Sequence, residues 1–399
     1  MVNEHSGFFI ADEEEILAGK ASDVYFSRSL KGLSSSSEDP IVTVEVTTSP
    51  NGDDWITFTG LKEAMALLSH RDVRIRGIAE GEVIRTRDSG GIPIPFITIE
   101  GRYSEIGSLE TAILGLICQS SGISTAASRI YMASYPYPFF SFGIRRMHPA
   151  ISPMIDRAAY IGGAYGVSGI LGAERIKSEP VGTMPHALAL IMGEENAWRY
   201  ISENFPKGSR TLLIDTFGDE KESALRAAEM FPEIDFIRLD TPKSRRGNFP
   251  NIVREIRWEL DLRGFNRIKI MASGGLDEEM VAKLREAGVE AFGVGTSISS
   301  AKSIDFAMDI VRINGKNITK KGKFSGSKDV LRCSECGMLK VKPAPASTDK
   351  CSCGGSFEVI NKDIFENGKW KIPEKSDKEI REKVISRLNA MILSGTGKK

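Results

Sequence analysis

Hydrophobic and polar residues alternate over much of Ile41–Glu100. Val42, Val44 and Val46 interleave with Thr43, Glu45 and Thr47, and Ile56-Thr57-Phe58 and Val73-Arg74-Ile75 continue the pattern. A period of two puts successive side chains on opposite faces, so these segments are expected to be strands of a half-solvated sheet. Leu61–Ser69 reads as a helix between two of them, and the Pro-Asn-Gly-Asp segment at Pro50–Asp53 as a turn. Residues 1–106 are therefore expected to form an N-terminal α+β domain.

From about Ile106 the period changes. Strand cores begin near Thr211, Asp235, Arg267 and Glu290, at steps of 24, 32 and 23 residues, which is the spacing of βα units. Between them lie segments of helical period. Ala224, Leu225, Ala228 and Phe231 share a face, as do Ile252, Val253, Ile256 and Leu260, and Met280, Val281, Leu284 and Ala287. Asp219 with Glu222 fits a capping box, Pro250 a first helical turn, and Gly264 and Gly288 helix ends. Three less regular units are expected between Ile106 and Pro206, with strands near Phe139–Phe142 and Arg175–Pro180. The predicted architecture is α/β: an irregular TIM-like β/α barrel over 107–300, a return segment over 301–330 with a basic loop or edge strand at Lys320–Gly326, a cysteine module over 331–360, and a C-terminal helix within 361–399. In that helix Ile380, Val384, Leu388 and Ile392 recur four apart. No solenoid repeat is present.

Active residues of parallel barrels come from the carboxyl ends of strands. Leu212-Leu213-Ile214 runs into Asp215-Thr216, and Phe236-Ile237 into Arg238-Leu239-Asp240-Thr241. Ile268–Met271 runs into Ala272-Ser273-Gly274-Gly275, and Ala291-Phe292 into Gly293-Val294-Gly295-Thr296. Glycines let backbone N–H groups approach an anion closely, so the last two ends are candidate phosphate loops, with tight turns as the plainer reading. Asp215 and Asp240 read either as helix N-caps or as ligands for ribose hydroxyls or Mg2+. His186, in Gly182-Thr183-Met184-Pro185-His186 ahead of a helix, is the best placed of the four histidines for proton transfer or nucleophilic work; His148 is weaker, and His5 and His70 have no comparable setting. Phe142-Gly143-Ile144-Arg145-Arg146 ends another strand. There Phe142 and one of the two arginines suit a flat anionic ring, because strand alternation sends the other arginine away.

Four of the five cysteines fall in one short stretch, Cys333-x2-Cys336 and Cys351-x-Cys353, each pair followed by glycine. Such clustering in a reducing compartment points to a structural Zn2+ held by four thiolates, with no coordination position left for water. Spacing alone does not separate zinc from iron. Cys118, in the apolar run Ile113–Cys118, is expected in the core.

Charge narrows the class further. The chain has 53 Lys+Arg against 53 Asp+Glu, which removes the electrostatic argument for a general nucleic-acid coat. No apolar stretch is expected to reach the roughly 18–20 residues of a membrane span, and Asp12–Glu15 is acidic where a signal peptide is basic and then apolar. The expected location is the cytoplasm.

Taken in order, Ser22-Asp23-Val24-Tyr25-Phe26, Phe142–Arg146, Gly182-Thr183-x-x-His186, Asp215-Thr216, Arg238-Leu239-Asp240, Ser273-Gly274-Gly275 and Gly293-x-Gly295-Thr296 resemble the type II phosphoribosyltransferases, most closely the nicotinate phosphoribosyltransferases. The resemblance covers nearly the whole chain. It implies transfer of the phosphoribosyl group of phosphoribosyl pyrophosphate to nicotinate, with ATP as co-substrate and Mg2+ beside the pyrophosphate, in NAD biosynthesis. It further implies that Phe142 and a Tyr25 from a neighbouring subunit sandwich the pyridine ring, so that the enzyme is at least a homodimer. Arg145, Thr183 and Arg238 would line the ring site, Asp215 and Asp240 would bind ribose and Mg2+, and His186 would be phosphorylated by ATP. Ser273, Gly274, Gly275, Gly293, Gly295 and Thr296 would hold the 5-phosphate. Nicotinamide-using relatives carry an acidic residue where Met184 stands, which favours nicotinate here. The chain departs from the family after Asp240, where Thr241–Gly247 (Thr-Pro-Lys-Ser-Arg-Arg-Gly) replaces Ser-Gly-Asp, and in its cysteine module. The alternatives are a decarboxylating quinolinate phosphoribosyltransferase, a zinc-containing RNA base-exchange enzyme, and an inert barrel whose zinc module docks a partner.

Overall fold

The computed structural model describes residues 7–49 and 52–395, so Pro50 and Asn51 of the expected turn, His5 and the extreme N-terminus lie outside the described residues. Among the described residues before residue 103 there are five strands: β1 (Ile41–Thr48), β2 (Trp55–Thr57), β3 (Val73–Gly77), β4 (Val83–Arg85) and β5 (Ile97–Arg102). Six follow between residues 139 and 294: β6 (Phe139–Ser141), β7 (Gly166–Val167), β8 (Thr211–Leu213), β9 (Phe236–Leu239), β10 (Lys269–Ala272) and β11 (Ala291–Val294). The remainder are β12 (Phe306–Ile313), β13 (Lys316–Asn317), β14 (Lys328–Cys333), β15 (Leu339–Pro343), β16 (Phe357–Val359), β17 (Lys362–Glu366) and β18 (Lys369–Trp370).

The chain divides into two compact units, Met1–Gly122 with Lys302–Val384, and Ile123–Ala301 with Ile385–Lys399. The expected boundary at 106/107 is thus displaced. The long helix Glu110–Ser134 gives Ile113 and Ile117 to the first core and Ile123, Ala127 and Ile130 to the second. Within the helical stretch Tyr103–Ser134 is a window long and apolar enough by composition to cross a membrane, contrary to expectation, and half of that window is buried inside the protein.

In the first unit a seven-stranded sheet runs β13-β12-β1-β5-β3-β17-β18, with antiparallel neighbours throughout. The expected half-solvated face is not found on β1. Val42, Val44 and Val46 are buried, and so are Thr43, Glu45 and Thr47. The polar face is covered because the return segment folds over it: Lys328 Nζ donates to Glu45 Oε2 at 2.7 Å, and Lys320 and Lys323 both pair with Asp309. The cysteine segment shares the core of the first unit. Its sheet, ordered β15-β14-β16, sends Val330, Leu339 and Val341 into the first unit's core, and β17 then joins the large sheet beside β3. Cys118 is only half-buried, and its carbonyl accepts from Ile304 N.

The second unit holds a six-stranded sheet, β7-β6-β11-β10-β9-β8, parallel at every pairing. Of the faces expected on its helices, Ala224 and Ala228, then Val253, Ile256 and Leu260, then Val281, Leu284 and Ala287 are buried, and Leu225, Phe231, Ile252 and Met280 are partly buried against the same core. Asp219 caps helix Glu220–Met230, and Gly264 and Gly288 take positive φ at helix ends. The strand expected at Arg175–Pro180 is absent. Arg175 instead ends the helix Ile170–Arg175, and the chain then runs past β7 as an irregular segment joined to it by Val181 N to Val167 O at 2.8 Å. Pro180 has no N–H to donate to a ladder.

Candidate active site

Parallel pairing in the order β6-β11-β10-β9-β8 makes the loops at the strand ends neighbours, so residues far apart in sequence meet in the second unit. Asp215 follows β8 and Asp240 follows β9. The N–H of Asp240 donates to Asp215 Oδ2 at 2.7 Å, and the Thr241 hydroxyl lies 3.0 Å from the same oxygen. Neither carboxylate is a helix cap, since Asp219 and Asn248 cap the helices that follow. Asp215 is nearly fully buried, and its Oδ1 accepts no hydrogen bond. Burial pushes its carboxyl up from the ordinary aspartate value, against the lowering effect of the Asp240 N–H, the Thr241 hydroxyl and His186.

His186 begins helix His186–Met192. Its Nε2 lies 3.6 Å from Asp240 Oδ2 and 3.9 Å from Asp215 Oδ1, while Nδ1 lies 3.2 Å from Thr216 Oγ1. Arg238 ties the strand ends together. Nε donates to Ser273 Oγ at 3.0 Å, one terminal nitrogen donates to Thr183 Oγ1, and the other donates to Asp240 Oδ2 at 3.2 Å. Ser273 Oγ in turn donates to Asp240 Oδ1 at 2.7 Å. Both oxygens of Asp240 are thereby fixed in direction. Met184 presents its carbonyl to Arg238 at 3.4 Å, but its side chain is buried in the core and does not line an open site.

Gly274 and Gly275 have φ of +88° and +64°, the left-handed region that excludes most side chains. A Cβ on Gly274 would also stand 2.9 Å from the Asp240 carbonyl oxygen. Gly293 makes room for an aromatic ring. A Cβ there would fall 2.7 Å from two ring atoms of Phe142, so the missing side chain is the space the ring occupies. Phe142 is half-buried, is held by its N–H to Val294 O at 2.8 Å, and stacks on Phe140 at 17°. A Cβ on Gly295 would lie 3.4 Å from the Phe142 carbonyl oxygen, and Thr296 opens the short helix Thr296–Ser299. Arg145 and Arg146 lie on a 3-10 turn, Ile144–Arg146, beyond the end of β6, and both are exposed. Strand alternation therefore does not choose between them. Tyr25 is an exposed residue of helix Val24–Ser35 in the first unit. His148 caps a 3-10 turn, its Nδ1 accepting from Ala150 N.

Sequence reasoning missed three supporting residues. Thr241 Oγ1 also lies 2.8 Å from Glu220 Oε1, linking Asp215 to the next helix. Arg246 is buried and donates to Gly274 O at 2.7 Å. The signal for Thr241 and Arg246 was the atypical segment after Asp240, whose contacts the letters did not reveal, and Glu220 had none.

In the first unit the Sγ atoms of Cys333, Cys336, Cys351 and Cys353 lie within 4.8 Å of one another. The Cys333–Cys353 and Cys336–Cys351 separations are 3.4 and 3.7 Å, close to the ~3.8 Å between thiolates around a tetrahedral ion with ~2.3 Å bonds. Gly337 and Gly354 take positive φ, and the Cys353 N–H is directed at Cys351 Sγ, lowering that thiol to about 6, with the neighbouring thiols adding to the effect.

The model of the quinolinate phosphoribosyl transferase C-terminal domain matches residues 123–309, and that of its N-terminal domain matches residues 23–121. The chain is 46% identical to the nicotinate-nucleotide pyrophosphorylase of Pyrococcus furiosus, with a TM-score of 0.91 over 96% of this chain and 98% of that one. It shares the fold of human nicotinic acid phosphoribosyltransferase at 16% identity, with a TM-score of 0.69 over 92% of this chain and 93% of that one. Nicotinate phosphoribosyltransferase pncB1 of Mycobacterium tuberculosis is 31% identical over 66% of this chain and 61% of its own length, so the chain spans about three-fifths of that relative. With both domains matched in order and the strand-end residues gathered in the second, the chain belongs to the type II phosphoribosyltransferase family, whose domains are those of quinolinate phosphoribosyl transferase.

Proposed function

We propose that the protein is a nicotinate phosphoribosyltransferase of NAD biosynthesis. The pyridine nitrogen of nicotinate forms a bond to C1 of phosphoribosyl pyrophosphate as the C1–O bond to pyrophosphate breaks, giving nicotinate mononucleotide. The observation that carries this reading is the cluster Arg238–Asp240–Asp215–His186, with both Asp240 oxygens oriented and Asp215 Oδ1 buried without a donor. A buried carboxylate oxygen with no partner suits a ribose hydroxyl or a cation.

Arg238 and Arg145 offer cations to the ring carboxylate, and Phe142 offers a stacking face. Asp215 and Asp240 would hold Mg2+, which when bound neutralises the departing pyrophosphate. Proximity and fixed charge supply the catalysis, and no covalent bond from protein to ribose is needed. His186 is the proposed acceptor of the ATP γ-phosphoryl group, later lost to water. The four thiolates are proposed to hold a structural Zn2+. The exposed Tyr25 supports a homodimer in which it reaches a neighbouring subunit, and the cytoplasm is the proposed location. The adjacent exposed Arg145 and Arg146 favour quinolinate, with its second carboxylate, as the alternative substrate.

Incubation of the protein with radiolabelled nicotinate, phosphoribosyl pyrophosphate and Mg2+, with and without ATP, tests the reading. Labelled nicotinate mononucleotide is expected, together with acid-labile phosphate on His186 when ATP is present. Release of carbon dioxide from quinolinate with no turnover of nicotinate would replace the substrate, and absence of the histidine label would confine His186 to positioning.

A further inference from the structure

The loop from Thr241 to Gly247 is where this chain leaves its family's pattern, and its packing gives it a definite form. The Pro242 carbonyl accepts from Arg245 N at 2.9 Å and Arg246 N at 3.3 Å, which closes a turn. Arg246 points inward and is 4% exposed. Its guanidinium donates to Gly274 O at 2.7 Å and Thr241 O at 3.3 Å and lies 4.4 Å from the ring centre of Phe249. One buried cation therefore fastens the loop after β9 to the glycine loop after β10.

That anchoring carries Lys243 onto the same glycine loop. A Cβ on Gly275 would sit 3.3 Å from Lys243 Cε, so the lysine stem lies against the glycine and the ammonium is one bond further on. Lys243 is exposed, and among the described residues no carboxylate pairs with it. Asp277, just beyond the glycines, is committed to capping by accepting from Met280 N at 2.9 Å. A Cβ at Gly275 would crowd the lysine stem by a few tenths of an ångström, so the glycine leaves room for the stem as well as making the turn.

We propose that Lys243 is a substrate-contact residue that binds the phosphate monoester seated on Gly274–Gly275, which is the 5-phosphate of the ribose; this rests on the phosphoribosyl reading above. A mobile lysine gives little affinity because its side-chain entropy opposes contact, whereas a stem laid on a fixed loop has already lost part of that freedom. The ammonium supplies a point charge beside the amide groups of the loop.

Calorimetry on the full chain, with ribose 5-phosphate and with pyrophosphate as separate ligands, tests the assignment. Lys243→Gln is expected to weaken ribose 5-phosphate binding about tenfold and leave pyrophosphate unchanged, while Lys243→Arg restores most of the affinity. Equal ribose 5-phosphate affinity in wild type and Lys243→Gln, an equal loss for both ligands, or no ribose 5-phosphate binding by wild type would each overturn it. If wild type binds ribose 5-phosphate through Lys243 yet forms no nicotinate mononucleotide, the contact stands and the nicotinate reading falls.

Discussion

The backbone N–H of Asp240 donates to the buried carboxylate of Asp215 at 2.7 Å, so the two acids that end adjacent strands are joined through one hydrogen bond. The arrangement leaves Asp215 Oδ1 free and fixes where the Asp240 side chain starts. Removing Asp215 strips a buried N–H and the Thr241 hydroxyl of an acceptor. Asp215→Ala is expected to lower stability by about 1–3 kcal/mol, read as a lower midpoint in denaturant. Asp240→Asn, by contrast, keeps the backbone bond and is expected to reduce kcat at least ~100-fold with little change in melting temperature. A near-normal kcat would remove Asp240 from the reaction.

Arg238 directs three nitrogens at three different partners, on Thr183, Asp240 and Ser273. Lysine cannot reproduce that planar fork. Arg238→Lys is expected to lower kcat/KM for nicotinate by roughly 10–100-fold, measured in steady-state assays, since both the ring site and Asp240 lose their orientation.

Gly293→Ala puts a methyl group where the Phe142 ring lies. The ring must move, and KM for nicotinate is expected to rise about tenfold with KM for phosphoribosyl pyrophosphate changing less. An equal rise for both substrates would show that the ring does not mark the nicotinate side of the site.

Asp156, on helix Ser152–Ile161, is fully buried where Gly169 and Gly172 leave space, and burial pushes its carboxyl up to about 7. Between the unfolded value near 4 and that folded value, the native state holds the proton and the unfolded state does not. The group therefore makes the protein less stable as pH rises through this window. Asp156→Asn is expected to be more stable than wild type at pH 8, by about 1–2 kcal/mol, with the advantage shrinking toward pH 4. Denaturant midpoints at the two pH values measure it.

The four thiols of the first unit predict one bound zinc per chain by elemental analysis. Chelation or Cys351→Ser is expected to lower the melting temperature by several degrees, because β14–β16 contribute Val330, Leu339 and Val341 to the core. Any folded fraction should keep its kcat, since four thiolates leave the ion no open position.

Much of this was written in the letters because it depends on local periodicity or on types of chemistry. The βα spacing placed the strands at Thr211, Phe236, Lys269 and Ala291 to within two residues, and the acids and glycines at their ends could be read directly. Cysteine spacing likewise located a cluster that the fold then closes to within 4.8 Å. Alternation along β1 gave the strand but not its burial. A period of two shows that two faces differ, and it cannot show that Lys328 will return from 283 residues away to cover the polar one.

The sequence by itself determined which residues carry charge, which segments are strand or helix, and which glycines can turn. Each of these follows from the covalent structure of one residue and its near neighbours. Only the tertiary structure decided that Gly293 seats Phe142, that Arg246 is a buried fastener and Lys243 an exposed cation, and that Asp240 hangs from Asp215. Those outcomes depend on distances between segments brought together by sheet pairing, and no local pattern encodes a distance between strands.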